Sequence, residues 1–383
     1  MNTLIQNKDM QKTVKFDQHI VLNYGSPLPA TDRLKGNFPV YGSNGVVGHH
    51  DQFLIQGPGI IVGRKGTIGA VVWSESSFWP IDTTYYITAD ESVDLRWLYY
   101  KLQTLGLQKM NMAGGVPGLN RNEVYNLKIS IPSRQVQQKI AEILSKVDEE
   151  IEKVDHAIEK TEQLKNGLMQ DLLTKGIGHS KFKKTELGEI PEEWKVVKLR
   201  EKTVGIQYGF TESSSNQNIG PKFLRITDIV DGNVNWDSVP YCECPEEQIN
   251  KYLLKNEDIV FARTGATTGK SFYVQNPLFA VFASYLIRVI LDQKTGFVSK
   301  FVYYFFQSDK YWKQIKSSIS GSAQGGFNAS KLGDLKLPFP PLSEQLQISS
   351  ILSSIDDRMA ISKKVKSKLG QLKEGLMQNL FNN

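Results

Sequence analysis

The sequence predicts an α+β protein built as two similar globular domains and two long helices, in the order domain, helix, domain, helix. Three observations carry that prediction. The second half of the 383-residue chain repeats the first. Two stretches place apolar residues at alternating spacings of four and three. The remaining segments hold short β-branched and aromatic runs bounded by Gly, Pro and Asn.

The repeat needs no gap. A shift of 208 residues lays LKISIPSRQVQQKIAEILSKVD on LKLPFPPLSEQLQISSILSSID, and QLKNGLMQDLL (163–173) on QLKEGLMQNLF (371–381). From Leu127–Leu173 against Leu335–Phe381, 18 of 47 positions are identical. Shared helix leucines do not explain this, because Pro132/Pro340, Gly167/Gly375 and Gln170/Gln378 coincide as well. The register extends upstream to AGGVPGLN (113–120) against GSAQGGFN (321–328). Further upstream a glycine-rich turn recurs as VGRKGTIG (62–69) and FARTGATTG (261–269).

The first domain is predicted over 1–134, with strands at GIIVG (59–63), AVVW (70–73) and TTYYIT (83–88) and a helix at LRWLYYKLQTL (95–105). A first spacer helix follows over 135–175, its seam formed by Ile140, Leu144, Val147, Ile151, Val154, Ile158 and Leu168. Thr161 and Lys165 interrupt it. The second domain is predicted over 176–341. It opens with a linker rich in Gly and Lys (176–194), then has strands at DIVFA (258–262) and SYLIRVIL (284–291) and a helix over 300–315. The second spacer helix, 342–383, repeats the seam with Ile348, Leu352, Ile355, Met359, Leu369 and Leu376, interrupted by Ser362, Lys366 and Lys373. Some 35 helical residues at about 1.5 Å each give a rod of roughly 50 Å. A rod with one apolar stripe needs a partner, and its own copy is the obvious one. Charge supports this: residues 136–176 carry net −3 and residues 343–383 net +2, which favours pairing the two helices over self-association of either.

Composition removes several classes. With 40% hydrophobic and 22% charged residues the chain is too apolar to be disordered. No run approaches the roughly 18 apolar residues of a membrane span. The N-terminus lacks the apolar core of a secretory signal, and the only cysteines are Cys242 and Cys244, so the expected compartment is the reducing cytoplasm. A net charge of +6 hints at a polyanionic partner without requiring one.

Catalytic motifs thin out on inspection. RTGATTGKS (263–271) looks like a phosphate-binding loop, but Thr264 stands where that loop needs its first Gly. Asn276-Pro277-Leu278-Phe279 resembles the adenine-holding motif of amino-methyltransferases without its second proline, and reads better as a turn. The five histidines show no metal-ligand spacing, and His49-His50 reads as a polar turn. No catalytic residue and no metal site are expected. An NTPase or an adenine methyltransferase acting on DNA stays open as the alternative, and a protein-binding scaffold as a third reading.

What remains are loops suited to nucleic acid. Arg64, Lys65 and Thr67 share one Gly-rich turn; Arg263, Thr264, Thr267 and Lys270 share its counterpart. Arg can grip guanine with two hydrogen bonds, while Lys and Thr hold phosphates. Ser43 and Asn44 in YGSNG, Asn120 and Arg121 in LNRNE, Asn328, and Arg225 complete the candidates. Tyr24, Tyr208 and Tyr241 could stack on bases, though core packing is the expectation for each.

The whole chain resembles the specificity subunits of type I restriction-modification enzymes. The resemblance rests on GNFPVYGSNGVVGHHD (36–51), GPGIIVGRKGTIGAV (57–71) and FWPIDTTYYI (78–87), then on FKKTELGEIPEEWKVVKL (182–199) and LLKNEDIVFARTGATTGK (253–270). P-x-x-x-x-Q (132–137) and PLSEQ (341–345) look like the two spacer starts. The resemblance implies that each domain is a target recognition domain reading one half of a split double-stranded DNA site. It implies an antiparallel coiled coil of the two helices that sets the gap. It further implies a non-catalytic subunit that recruits two modification (methyltransferase) subunits and restriction/translocase subunits. S-adenosylmethionine, ATP and Mg would then sit on those partners and no cofactor on this chain.

Overall fold

In the computed structural model the described residues are 12–110, 118–230, 232–320 and 327–381. The upstream end of the repeat, 113–117 and 321–326, lies outside them. The chain forms two compact units, Met1–His156 with Lys363–Asn383, and Ala157–Ser362. The four segments expected from the sequence therefore group in a crossed manner, with each long helix contributing to both units.

The first unit is organised by a four-stranded antiparallel sheet of β1 (Ile20–Tyr24), β2 (Gly59–Gly63), β3 (Val71–Ser74) and β4 (Thr84–Ala89), in the order β1-β4-β2-β3. The central β2 is buried along its whole length, as its unalternating GIIVG demands. Ile60 and Val62 face a core with Trp97, Leu98 and Leu102 of the helix Leu95–Thr104, whose start is capped by Asp94 accepting from Trp97 N–H. Ile61 faces the other way, toward Tyr41 and Phe78. A smaller sheet of Phe38–Gly42, Gly45–His50 and Trp79–Pro80 covers that side. His49 and His50 belong to its edge strand Gly45–His50 rather than to a turn, and His50 Nδ1 is buried to accept Leu34 N–H at 3.0 Å.

The second unit repeats this plan. Its strands β5 (Thr203–Tyr208), β6 (Ile259–Ala262), β7 (Ser271–Tyr273) and β8 (Leu286–Leu291) run in the order β5-β8-β6-β7. A parallel pair, Lys222–Leu224 with Ala280–Phe282, matches the parallel pairing of Phe38–Gly42 with Trp79–Pro80. Two expectations fail here. The helix expected over 300–315 is two helices, Ser299–Phe305 and Asp309–Ser320. Ser308 breaks it: its hydroxyl donates to Phe305 O and accepts Tyr311 N–H, closing one helix and capping the next. Residues 176–194 are not a linker. Phe182–Thr185 and Gly188–Pro191 form a hairpin whose Ile190, with Trp194 beyond it, is fully buried, and Trp194 Nε1 donates to the buried Glu344 at 2.9 Å. The Gly- and Lys-rich composition hid three core residues, Leu187, Ile190 and Trp194. Cys242 is buried and unbridged, its thiol pushed up to about 12 by burial.

The two long helices run Arg134–Leu172 and Leu342–Phe381, 39 and 40 residues, so each is about 58–60 Å long at 1.5 Å per residue. In the first unit Ile140, Ala141 and Leu144 share a core with Leu376, Met377, Leu380 and Phe381. In the second, Leu168, Met169 and Leu172 share one with Ile348 and Leu352. Ile140, Leu144, Ile348, Leu352 and Ile355 are buried; Val147, Ile151, Val154, Ile158, Met359, Leu369 and Leu376 are half-buried on the same stripes. Ion pairs fix the direction: Lys366–Asp155 and Lys373–Asp148 in the first unit and Lys165–Asp356 in the second, each at 2.7 Å. The partners' numbers always add to 521, so one helix descends as the other ascends, and the pairing is antiparallel. The interruptions are thus partly explained, since Lys165, Lys366 and Lys373 each hold a carboxylate of the facing helix. Thr161 bonds back to Ala157 O at 2.6 Å without ending its helix.

Candidate nucleic-acid interface

Each unit carries an arginine laid on a tyrosine beside a glycine-rich turn. In the first unit β2 ends in Gly63 and the turn Arg64–Gly69 follows. Arg64 N and Lys65 N both donate to Thr83 O, and Arg64 Nη1 donates to Asp82 O at 3.0 Å. Its guanidinium carbon lies 4.7 Å from the ring centre of Tyr24, the last residue of β1. Arg121 lies over the same ring at 5.0 Å. Leu119 N donates to Arg64 O at 2.8 Å, which brings the Asn120–Arg121 corner against the turn. The hairpin tip arrives from another direction, with Ser43 Oγ only 3.2 Å from where a Cβ on Gly66 would stand. Gly66, with φ +77°, can occupy that place because it has no Cβ. Ser43, Arg64, Asn120 and Arg121 therefore converge, and Lys65 and Thr67 are exposed on the same turn.

The second unit builds the same corner from different neighbours. Arg263 N donates to Tyr285 O, Arg263 Nη1 to Ser284 O at 3.4 Å, and the guanidinium lies 4.7 Å over Tyr208, the last residue of β5. Ala329 N–H donates to the Tyr208 hydroxyl at 3.1 Å, placing Asn328 beside the ring. Thr264 and Thr267 are half-buried and Lys270 is exposed along this turn. Both asparagines also have a local duty as helix caps: Asn120 Oδ1 accepts Asn122 N–H and Asn328 Oδ1 accepts Lys331 N–H. Arg225 is not part of the corner contacts. It doubles back onto Asp228 through Nε and Nη2, with Nη1 donating to Ser214.

Core packing was the expectation for Tyr24 and Tyr208, and the structure corrects it. They are 49% and 40% exposed, and each carries an arginine on its face. Tyr85 is the tyrosine that packs inward beneath Tyr24, 5.1 Å away between ring centres, and burial raises its phenol pKa. Tyr241 is half-buried under the Lys222 ammonium. A signal for the pair was present: both tyrosines precede a glycine, in Tyr24-Gly25 and Tyr208-Gly209. A Cβ at either glycine would stand 2.2 Å from a backbone oxygen, Ile81 O or Ala283 O.

The enzyme alternatives find no support in this geometry. A phosphate-binding loop leads from a strand into a helix N-terminus. The loop after Arg263 leads instead into the strand β7, and Asn276, with φ +44°, lies in a turn. No cluster of metal-ligating side chains occurs among the described residues. Among the same residues no helix is long and apolar enough to cross a membrane.

Behind the corners, the junctions between domain and helix repeat closely. Tyr100 donates to Asp148 at 2.7 Å and contacts Ser145, with Lys373 on the same aspartate; Tyr304 donates to Asp356 at 2.7 Å and contacts Ser353, with Lys165 on that aspartate. At the helix starts, buried Gln137 accepts Asp94 N–H and donates to Ser92 O and Pro132 O. Gln345 accepts Val298 N–H and donates to Gly296 O and Pro340 O.

Tandem domains with basic, aromatic-backed corners, mounted on paired antiparallel helices, define a class of two-headed recognition proteins. Comparison with known proteins makes the class specific. The family described as the type I restriction modification DNA specificity domain matches residues 21–163 and 181–371. The MjaVIII specificity subunit of Methanocaldococcus jannaschii is 32% identical over 337 residues, covering 84% of this chain and 75% of the relative. The putative MjaX specificity subunit of the same organism is 34% identical over 206 residues, 52% of this chain and 48% of the relative. The crystal structure of the type I restriction-modification S subunit from M. genitalium superposes with a TM-score of 0.70 at 17% identity, covering 98% of this chain and 97% of that one. The chain belongs to this family: it is a DNA specificity subunit of the type I restriction-modification class, a recognition rather than a catalytic subunit.

Proposed function

We propose that each unit reads one half of a bipartite, asymmetric site in duplex DNA, the Arg64 corner one half and the Arg263 corner the other. The recurrence of an arginine laid on a strand-end tyrosine in both units carries this reading. The two corners differ in their surrounding residues, so the half-sites differ. The paired helices set the unread gap. Two methyltransferase subunits and the restriction subunits assemble on the chain in the cytoplasm and hold the S-adenosylmethionine, ATP and Mg that the chemistry needs.

Selection from a randomised duplex library with the full chain, read by sequencing, tests this. Arg64→Ala and Arg263→Ala should each relax preference in a different half, at a cost of about 1–3 kcal/mol if a two-bond guanine contact is lost. A phosphate contact would instead weaken binding to all sequences and lower the salt dependence. If both variants relax the same half, the two-headed reading is wrong. Lengthening the spacer by one heptad after Ala157 and one after Val365 adds roughly 10 Å, so the gap should grow by about three base pairs with both halves unchanged.

A further inference from the structure

Tyr24 and Tyr208 are large, half-exposed aromatic residues in the one place where each unit also holds its arginine turn. Neither belongs to a buried core cluster. Each ends the first strand of its sheet, and the glycine after it lets the chain pass within contact of a backbone carbonyl, which fixes where the ring stands. Each guanidinium is then restrained twice, by the ring below it and by one carbonyl, Asp82 O for Arg64 and Ser284 O for Arg263. An arginine side chain that is free in solution loses several rotamers on binding; one already stacked and tethered loses fewer.

We propose that Tyr24 and Tyr208 are positioning residues for DNA reading, platforms that hold Arg64 and Arg263 in the orientation in which they meet a base. The inference rests on the two-headed reading above. It assigns to the face of the ring, not to the hydroxyl, the task of pre-setting the arginine. The first unit extends the device, since Tyr24 carries Arg121 as well as Arg64 and so couples two cations through one ring. Tyr208 carries one cation, and its hydroxyl accepts the helix amide of Ala329.

The test separates the ring face from the rest. The full chain and its variants are run against the randomised duplex library, with the base preference of each half as the readout. Tyr24→Phe keeps the face and should keep first-half preference. Tyr24→Leu removes the face while retaining apolar bulk, and should lower first-half discrimination about tenfold, with second-half preference intact. Tyr208→Leu should do the converse and serves as the independent variant. Tyr24→Leu combined with Arg64→Ala and Arg121→Ala should be no worse than the two arginine changes alone, because the ring acts through those side chains. Full discrimination in Tyr24→Leu beside a loss in Arg64→Ala overturns the platform, as does a loss in Tyr24→Phe equal to that in Tyr24→Leu. If Arg64→Ala itself leaves the preference unchanged, the two-headed reading fails first, and the platform with it.

Discussion

The two units agree in different degrees at their two ends. At the junction with the long helices the agreement extends to individual atoms: Tyr100, Ser145, Asp148 and Lys373 are matched by Tyr304, Ser353, Asp356 and Lys165. At the arginine corner the arginine on its tyrosine and the capping asparagine persist, while the side chains around them change. The residue just before the strand, which receives the turn amide, is Thr83 in one unit and Tyr285, 62% exposed, in the other. Arg121 has Ala329 at its matching place. The difference teaches a division of labour. Docking onto the helices admits few solutions, because a buried hydrogen-bonding group left without a partner is costly. A corner facing solvent can change its side chains without disturbing the sheet that carries it.

The sharpest way to break the comparison is a buried charge at matched positions. Leu144 and Leu352 are fully buried and fall on one another under the repeat. Leu144→Asp and Leu352→Asp should each cost several kcal/mol, about 3–5, by burying a carboxylate without a partner. Thermal melts followed by hydrogen exchange would show loss of protection in the unit that holds the substitution. Equal loss in both units from either change would mean that they do not form separate cooperative bodies.

Next in size come the buried glutamines. Gln137→Leu strands Asp94 N–H and two carbonyls, and Gln345→Leu strands Val298 N–H and two carbonyls. About 1–3 kcal/mol is expected for each, and the two values should agree. Urea midpoints of the single variants test the match. A near-zero value at one site would show that the equivalence is geometric only.

These glutamines also mark how much the sequence could tell. The repeat displayed them, and the spacing of Ile140, Leu144 and Val147 announced a helix, because periodicity is a local property of the chain. Their task was invisible, since the partners that tie them to the domain lie more than 40 residues away, at Ser92 and Gly296. Gly and Lys between 174 and 194 suggested a linker although Trp194 anchors a core, and apolar content from 300 to 315 hid the capping role of Ser308. For the candidate site, Arg64 and Arg263 stood out through their glycines. That Tyr24 and Tyr208 lie beneath them depends on strand pairing between β1 and β4 and between β5 and β8, which no local pattern specifies.

Tyrosine ionisation sharpens the junction comparison at high pH. Burial, the largest cause, and the neighbouring aspartate both raise the phenol pKa of Tyr100 and Tyr304. In the folded state these groups hold their protons beyond the ordinary value of about 10. The unfolded chain binds fewer protons there, so the sign is negative: their contribution is complete below about pH 10 and declines as pH rises above it. Tyrosinate absorbance should therefore show these two phenols ionising only as the chain unfolds. Tyr100→Phe and Tyr304→Phe should shrink that alkaline loss to a similar extent, and a phenol titrating in the folded protein near pH 10 would contradict its burial.

The smallest effects are expected along the helix seam, and they rank the three lysines. Lys165 and Lys373 are well shielded, touch Tyr304 and Tyr100 through their ammonium groups at 5.8 and 5.5 Å, and pair with aspartates that also accept a tyrosine hydroxyl. Replacing either by Met leaves its aspartate with the hydroxyl but without its counter-charge, a loss of about 1 kcal/mol that high salt should barely change, because shielded pairs are weakly screened. Lys366 and Asp155 also meet at 2.7 Å, but both side chains are nearly half exposed, 48% and 45%. An exposed pair gains little over water and holds two long side chains in one arrangement, so Lys366→Met should fall between zero and about 0.5 kcal/mol and vanish in high salt. Its matching position under the repeat is Ile158, not a lysine, so no counterpart pair exists to keep in step. Double-mutant cycles with Asp155, Asp148 and Asp356 measure the three couplings directly. Equal couplings would mean that distance alone governs these pairs. A larger value for the two lysines on tyrosines would place the matched junctions, rather than the seam between them, as what holds each helix to its unit.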